Sequence, residues 1–181
     1  MKRALCVFTF IYIIMMGMSA KITLRHIGQR AQIEIDNQPI LILGAELSNS
    51  AATSVADINE VLPRMKAMGI NTVLIPAQWD LIEAEEGKMD FSLIDAAIMK
   101  ARECDLRLIF LWFGAWKNSM SCYAPMWFKE DVKRFPRAIT QQGKPLEIAS
   151  AFSENVFQAD NRAFSSLMQH IKEIDQEHQT V

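Results

Sequence analysis

Apolar positions along the chain change period several times, and each change marks an expected element. Ile22, Leu24 and Ile27 lead into Gly28, then Ile33 and Ile35 alternate with polar neighbours, and Asp36-Asn37-Gln38-Pro39 supplies turn residues. A small antiparallel hairpin is expected over residues 21–39. Ile40 to Leu47 is a short, almost continuously apolar run that reads as a buried strand. Ile58, Val61, Leu62, Met65 and Met68 recur at helical spacing until Gly69 stops them. Pro63 lies inside this pattern, so an irregular helix, or one starting near Leu62, is expected. Asn71 to Ala77 reads as a second buried strand. Ile94, Ala97, Ile98 and Ala101 mark a second helix, capped by Asp90 or Ser92. Leu106 to Gly114 is the third strand, and Phe164, Leu167, Met168, Ile171 and Ile174 mark a third helix. Thr180-Val181 reads as the first step of a fourth strand.

Apolar strands separated by amphipathic helices imply parallel pairing through right-handed crossovers. Two α/β folds fit, a doubly wound sheet and a (β/α)8 barrel. A doubly wound nucleotide fold wants a glycine-rich turn after its first strand. Gly44-Ala45-Glu46-Leu47-Ser48-Asn49 is no phosphate loop, so the barrel is favoured. A whole barrel takes about 250 residues and eight strands. Residues 40–181 therefore read as its N-terminal part, about three strands and the start of a fourth. Ala115 to Asp160 shows no clear period and reads as a long functional loop, its aromatics folded down over the barrel mouth.

Composition narrows the class. The chain has 181 residues, half of them hydrophobic, with a net charge of −2. Lys and Arg are scattered without a basic cluster, so no nucleic-acid partner is expected. Lys2 and Arg3, the apolar run Ala4 to Met16, and the small residues Gly17 to Ala20 resemble a Sec-type leader over residues 1–20. The apolar run falls short of the roughly 18–20 residues a membrane span needs. Export to a periplasm or beyond is expected, with no membrane association besides the leader. That compartment permits a disulfide between Cys104 and Cys122. Cys104 falls on an apolar helix face and Cys122 in a loop, so a buried thiol and a loop thiol are the plainer expectation. No metal is expected, because His26, His170 and His178 lack ligand-type spacing.

Barrel sites are built at the C-terminal ends of strands. Those positions hold Glu46, Ser48 and Asn49, then Gln78, Trp79 and Asp80, then Trp112, Trp116, Lys117 and Asn118. Aromatic faces beside amides and a carboxylate suit a polyhydroxylated ligand, whose C–H faces stack on rings and whose hydroxyls need paired donors and acceptors. Glu46, Asn49, Trp79, Trp112, Trp116, Lys117 and Asn118 are the candidate ligand-binding residues. Each has a plainer reading. Trp79 and Trp112 also suit core packing, Glu46 a structural pair with Lys117, and Asn49 and Asn118 the satisfaction of loop backbone. The stretch Glu83, Glu85, Glu86 reads as a solvated turn before Gly87.

"PAQWDLIEAEEGKMDFSLID", Pro76 to Asp95, resembles the clan A glycoside hydrolase segment Trp-x-x-x-Glu-Pro-x-x-Gly-x-x-Asp-Phe. With "LILGAELSNS" and "LWFGAWKNSMSCYAPMW", it is similar to a bacterial branch of glycoside hydrolase family 35, the β-galactosidases. Ala84 stands where the wider pattern has proline, and the third strand lacks the Pro-Tyr and Ala-Glu elements of the eukaryotic-type enzymes. The resemblance implies a retaining hydrolase of terminal β-galactosyl or related units, acting on oligosaccharides or polysaccharides without a cofactor. Its acid/base glutamate would follow an asparagine at the end of the fourth strand, and its nucleophile would end the seventh. Neither position falls within this chain, so no catalytic residue is expected here, and the rest of the enzyme is the expected partner. The alternative is a stand-alone secreted carbohydrate-binding or scaffold protein, which would leave two sheet edges unpaired.

Overall fold

The computed structural model describes residues 22–117, 122–176 and 180–181. The expected leader over residues 1–20, Asn118 and His178 lie outside the described residues. The chain opens with β1 (Ile22–Ile27), β2 (Arg30–Ile35) and β3 (Gln38–Pro39), paired antiparallel in that order. Asp36 and Asn37 take φ of 52° and 62°, the left-handed pair that a two-residue turn between β2 and β3 requires.

A parallel sheet follows, in the order β4 (Gly44–Glu46), β5 (Thr72–Gln78), β6 (Arg107–Phe113). β4 is shorter than the apolar run Ile40 to Leu47 suggests. Leu41, Ile42 and Leu43 are exposed, and the Asn71 side chain clamps them beside the start of β5. Asn71 Nδ2 donates to Leu41 O at 2.8 Å, and its Oδ1 accepts from Leu43 N at 3.0 Å.

Helices α1 (Val55–Ala67) and α3 (Ser92–Glu103) cover one face of the sheet, while the single turn α2 (Trp79–Ile82) follows β5 directly. Ser54 caps α1, its Oγ accepting from Asp57 N at 3.1 Å. The helix runs through Pro63 rather than starting near Leu62. Pro63 lies on the exposed side of the helix, as does Asn59, whose carbonyl loses its usual partner one turn earlier. Asp90 Oδ1 accepts from Ser92 N at 2.9 Å, at the start of α3.

Residues 115–160 hold more structure than their lack of period implies. They contain α4 (Met126–Glu130), a hairpin of β7 (Arg137–Ile139) and β8 (Pro145–Ala149), and the first turns of α5 (Glu154–Ile174). Their apolar side chains form a second core, with Trp79, Phe128, Phe135, Val156, Ala159 and Ala163 buried together. Cys104 and Cys122 are both free thiols.

The main core lies on one side of the sheet only. Val73, Ile75, Ala77 and Leu108 pack against Ile58, Leu62, Ile98, Leu167 and Ile171, each fully buried aliphatic contributing roughly 1.5–3 kcal/mol. On the opposite face Ile109 is 41 % exposed, and Leu74 and Leu111 are half-buried. At the free edge of β6, Leu108 N donates to Thr180 O at 2.6 Å, so the chain returns beside β6 at its last described residues. The sheet is open, and no barrel is closed.

Candidate functional site

Side chains in a strand alternate between faces, and parallel partners in register share one. Val73, Ile75 and Ala77 face the helices, and their partners Leu108, Phe110 and Trp112 face the same way. The other face carries Glu46, beside Leu74, and the pair Gln78 and Phe113. Every pairing points the strands' C-terminal ends the same way, so Glu46, Gln78 and Phe113 lie toward one mouth.

Loops add to this face. Gln78 Nε2 donates to Asn49 O at 2.5 Å, and Asn49 Nδ2 donates to Tyr123 Oη at 2.9 Å. The Tyr123 ring lies 4.9 Å from that of Phe113, and Tyr123 N donates to Gly114 O at 3.2 Å. Lys117 Nζ sits 3.7 Å from the Phe113 ring centroid, a cation–π contact that leaves its ammonium without a carboxylate partner among the described residues. Glu46 is exposed and forms no ion pair with Lys117. Carboxylate, amides, phenol and ammonium together offer both donors and acceptors to a ligand rich in hydroxyls.

Asp80 follows β5 on α2, and its backbone N donates to Tyr123 O at 2.9 Å. Its Oδ1 is buried without a partner. Burial pushes the carboxyl pKa up, and the charge of Lys129 opposes that shift.

The tryptophans are placed elsewhere. Trp79 is 0 % exposed, edge-on to Trp127 and 5.0 Å from Phe128, so it presents no ring face to a ligand. Trp112 faces α5, where its Nε1 donates to Asp160 Oδ1 at 2.6 Å. Trp79 is a packing ring, whereas Trp112 is only half-buried. Trp116, 62 % exposed, lines a cavity of about 470 Å³ with Trp112, Phe157, Phe164, Asp160 and Asn161, on the α5 side of the sheet. The structure thus gathers Glu46, Asn49 and Lys117 at the mouth and separates them from the three tryptophans.

Glu83 corrects the expected solvated turn. Its side chain is 0 % exposed and accepts from Trp79 Nε1 at 2.7 Å, Gly87 N at 2.7 Å and Arg162 Nη2 at 2.8 Å. Glu83 O also accepts from Trp127 Nε1 at 2.9 Å. The carboxylate ties α2 to α5, and the backbone carbonyl adds α4. Gln78 and Tyr123 are the mouth residues that sequence reasoning left out of the site. For Gln78 the available signal was its strand-end position, and Tyr123 lies in a segment without period.

Among the described residues, no cluster of three or more His, Cys, Asp or Glu side chains could hold a metal ion, and no helix is long and apolar enough to cross a membrane.

No protein-family model matches the chain, and no curated protein matches it in sequence. Among solved structures it is similar to an exo-β-1,4-mannosidase from Opitutaceae bacterium strain TAV5. The TM-score is 0.54 at 17 % identity over 77 % of this chain. The chain spans only about a quarter of that enzyme, 24 % of its length. The class so defined is a fold: a mixed α/β arrangement shared with part of a glycoside hydrolase.

Proposed function

We propose that this chain forms the opening arc of a glycoside hydrolase barrel, and that its mouth holds the terminal sugar of an oligosaccharide or polysaccharide. The observation that carries this reading is the gathering of Glu46, Asn49, Gln78, Lys117 and Tyr123 at the C-terminal ends of three parallel strands. The fold shared with part of a mannosidase supports it. So does the sheet's uncovered face, with Ile109 exposed, and an apolar row of Phe157, Phe164 and Met168 on α5 that a further β/α unit would cover.

The enzyme proposed is a retaining glycosidase of the β-galactosidase type, exported by the leader over residues 1–20. Retaining cleavage needs two carboxyl groups about 5–5.5 Å apart across the scissile bond. Among the described residues at the mouth, Glu46 is an exposed carboxylate and Asp80 is partly buried, its backbone N bonded to Tyr123 O. The catalytic pair is therefore assigned to other strands of the whole protein. No cofactor is required, since two carboxylates suffice.

The test is isothermal titration of the 181-residue chain with methyl β-galactoside and methyl β-mannoside. Saturable binding is expected, weakened roughly tenfold or more in Glu46→Gln, because a hydrogen bond to a charged group is worth about 1.5–3 kcal/mol. Binding lost in Trp116→Ala and kept in Glu46→Gln would move the site to the aromatic cavity and overturn this reading.

A further inference from the structure

The hydrogen bond between Asn49 and Tyr123 has a direction, and the direction leaves one proton unassigned. An amide nitrogen only donates, so with Asn49 Nδ2 at 2.9 Å the phenol oxygen of Tyr123 is the acceptor. Its own O–H then points to neither Asn49 nor any other described residue. The remainder of the residue is fixed. Its backbone N donates to Gly114 O, its backbone O accepts from Asp80 N at 2.9 Å, and its ring packs on Phe113. Asn49 is fixed in turn, since its backbone O accepts from Gln78 Nε2. Three strand ends thus converge to orient one phenol, which is half-buried on the mouth face.

We infer that Tyr123 is a ligand-contacting donor, its O–H offered to a hydroxyl oxygen of the bound sugar, and that Asn49 is a positioning residue that turns the proton toward the ligand. This rests on the reading of the mouth as a sugar site and adds Tyr123 to its residues. It also changes the role of Asn49, whose amide acts through the phenol rather than on the ligand.

The experiment is the titration of the 181-residue chain with methyl β-galactoside and methyl β-mannoside, in the wild type, Tyr123→Phe, Asn49→Asp and the double variant. Tyr123→Phe keeps the ring and removes the proton. Asn49→Asp replaces the donor with an acceptor, so the phenol donates to residue 49 and its proton is drawn off the ligand. Each single variant is expected to weaken binding about three- to tenfold, the worth of one neutral hydrogen bond. The double variant is expected to lose no more than Tyr123→Phe alone, with thermal melting of all three variants showing that the fold is kept. Wild-type affinity in Tyr123→Phe, together with a weakened Glu46→Gln, would overturn the role of Tyr123 and leave the sugar site standing. No binding of either glycoside by the wild type would overturn the sugar site, and this inference with it.

Discussion

Asp160 clamps the end of β6 to α5 through Trp112: one carboxylate oxygen accepts from Trp112 Nε1 at 2.6 Å, and the other accepts from Ala115 N at 3.0 Å. Gly114 lies beneath that carboxylate. A Cβ there would meet Trp112 Nε1 at 2.4 Å and Asp160 Oδ1 at 2.6 Å, closer than real Cβ contacts allow. The glycine is there so that α5 can approach the strand end. Gly114→Ala is expected to destabilise the chain by about 1–3 kcal/mol, read as a lower urea midpoint. Asp160→Ala, which strands two donors, is expected to cost a similar amount. A Gly114→Ala variant as stable as the wild type would show that the clamp does not hold these elements.

Glu83 and Arg162 form a second tie, between α2 and α5, with the carboxylate fully buried and the guanidinium part-exposed. Removing one partner of a buried pair costs about 3–5 kcal/mol, because the other is left uncompensated. Glu83→Ala is expected near the lower end of that range, since Arg162 can turn to water. Arg162→Ala leaves the carboxylate buried with only Trp79 Nε1 and Gly87 N as donors. The double variant should cost less than the sum of the singles. A double-variant loss equal to that sum would mean the two residues act independently.

The partly buried Asp80 sets a pH dependence. Its carboxyl pKa is raised by burial in the folded chain above the ordinary value of 3.8. An acid whose folded pKa is raised binds its proton more tightly when folded. The cost of its charge is therefore fully present above the folded pKa and relieved as pH falls toward 3.8. Asp80→Asn is expected to raise the melting temperature at pH 7, with the difference shrinking through the acid range and absent below pH 3. A constant difference across pH would assign the effect to packing instead of charge.

Much of this arrangement was readable from the chain, and the unread parts share a physical cause. β5 and β6 stand out as apolar runs because both of their faces carry apolar side chains, one packed under the helices and the other left uncovered. That same feature hides parity. In Leu108 to Phe113 every residue is apolar, so nothing in the sequence says that Trp112 shares its face with Leu108 and that Phe113 faces the mouth. Trp112 therefore lies on the α5 side of the sheet, away from Glu46 and Gln78. The first half of α5 escaped notice because its buried face is Val156, Ala159 and Ala163, residues too small to show a helical stripe. Glu83 looked solvated beside Glu85 and Glu86 because its ion-pair partner lies far along the chain, on α5. Asn49 and Lys117 follow strand ends in the chain itself, whereas Tyr123 needs the fold to bring it to Asn49.

The central claim is that the strand ends of this chain bind a sugar that they do not cleave. The direct measurement is saturation-transfer NMR of the 181-residue chain with p-nitrophenyl β-galactoside, which follows binding and nitrophenol release in one sample. Saturation transfer to the galactosyl protons, reduced in Glu46→Gln and without nitrophenol release over a day, is the expected result. Release of nitrophenol by the chain itself, or no transfer to the sugar at millimolar ligand, would contradict the account.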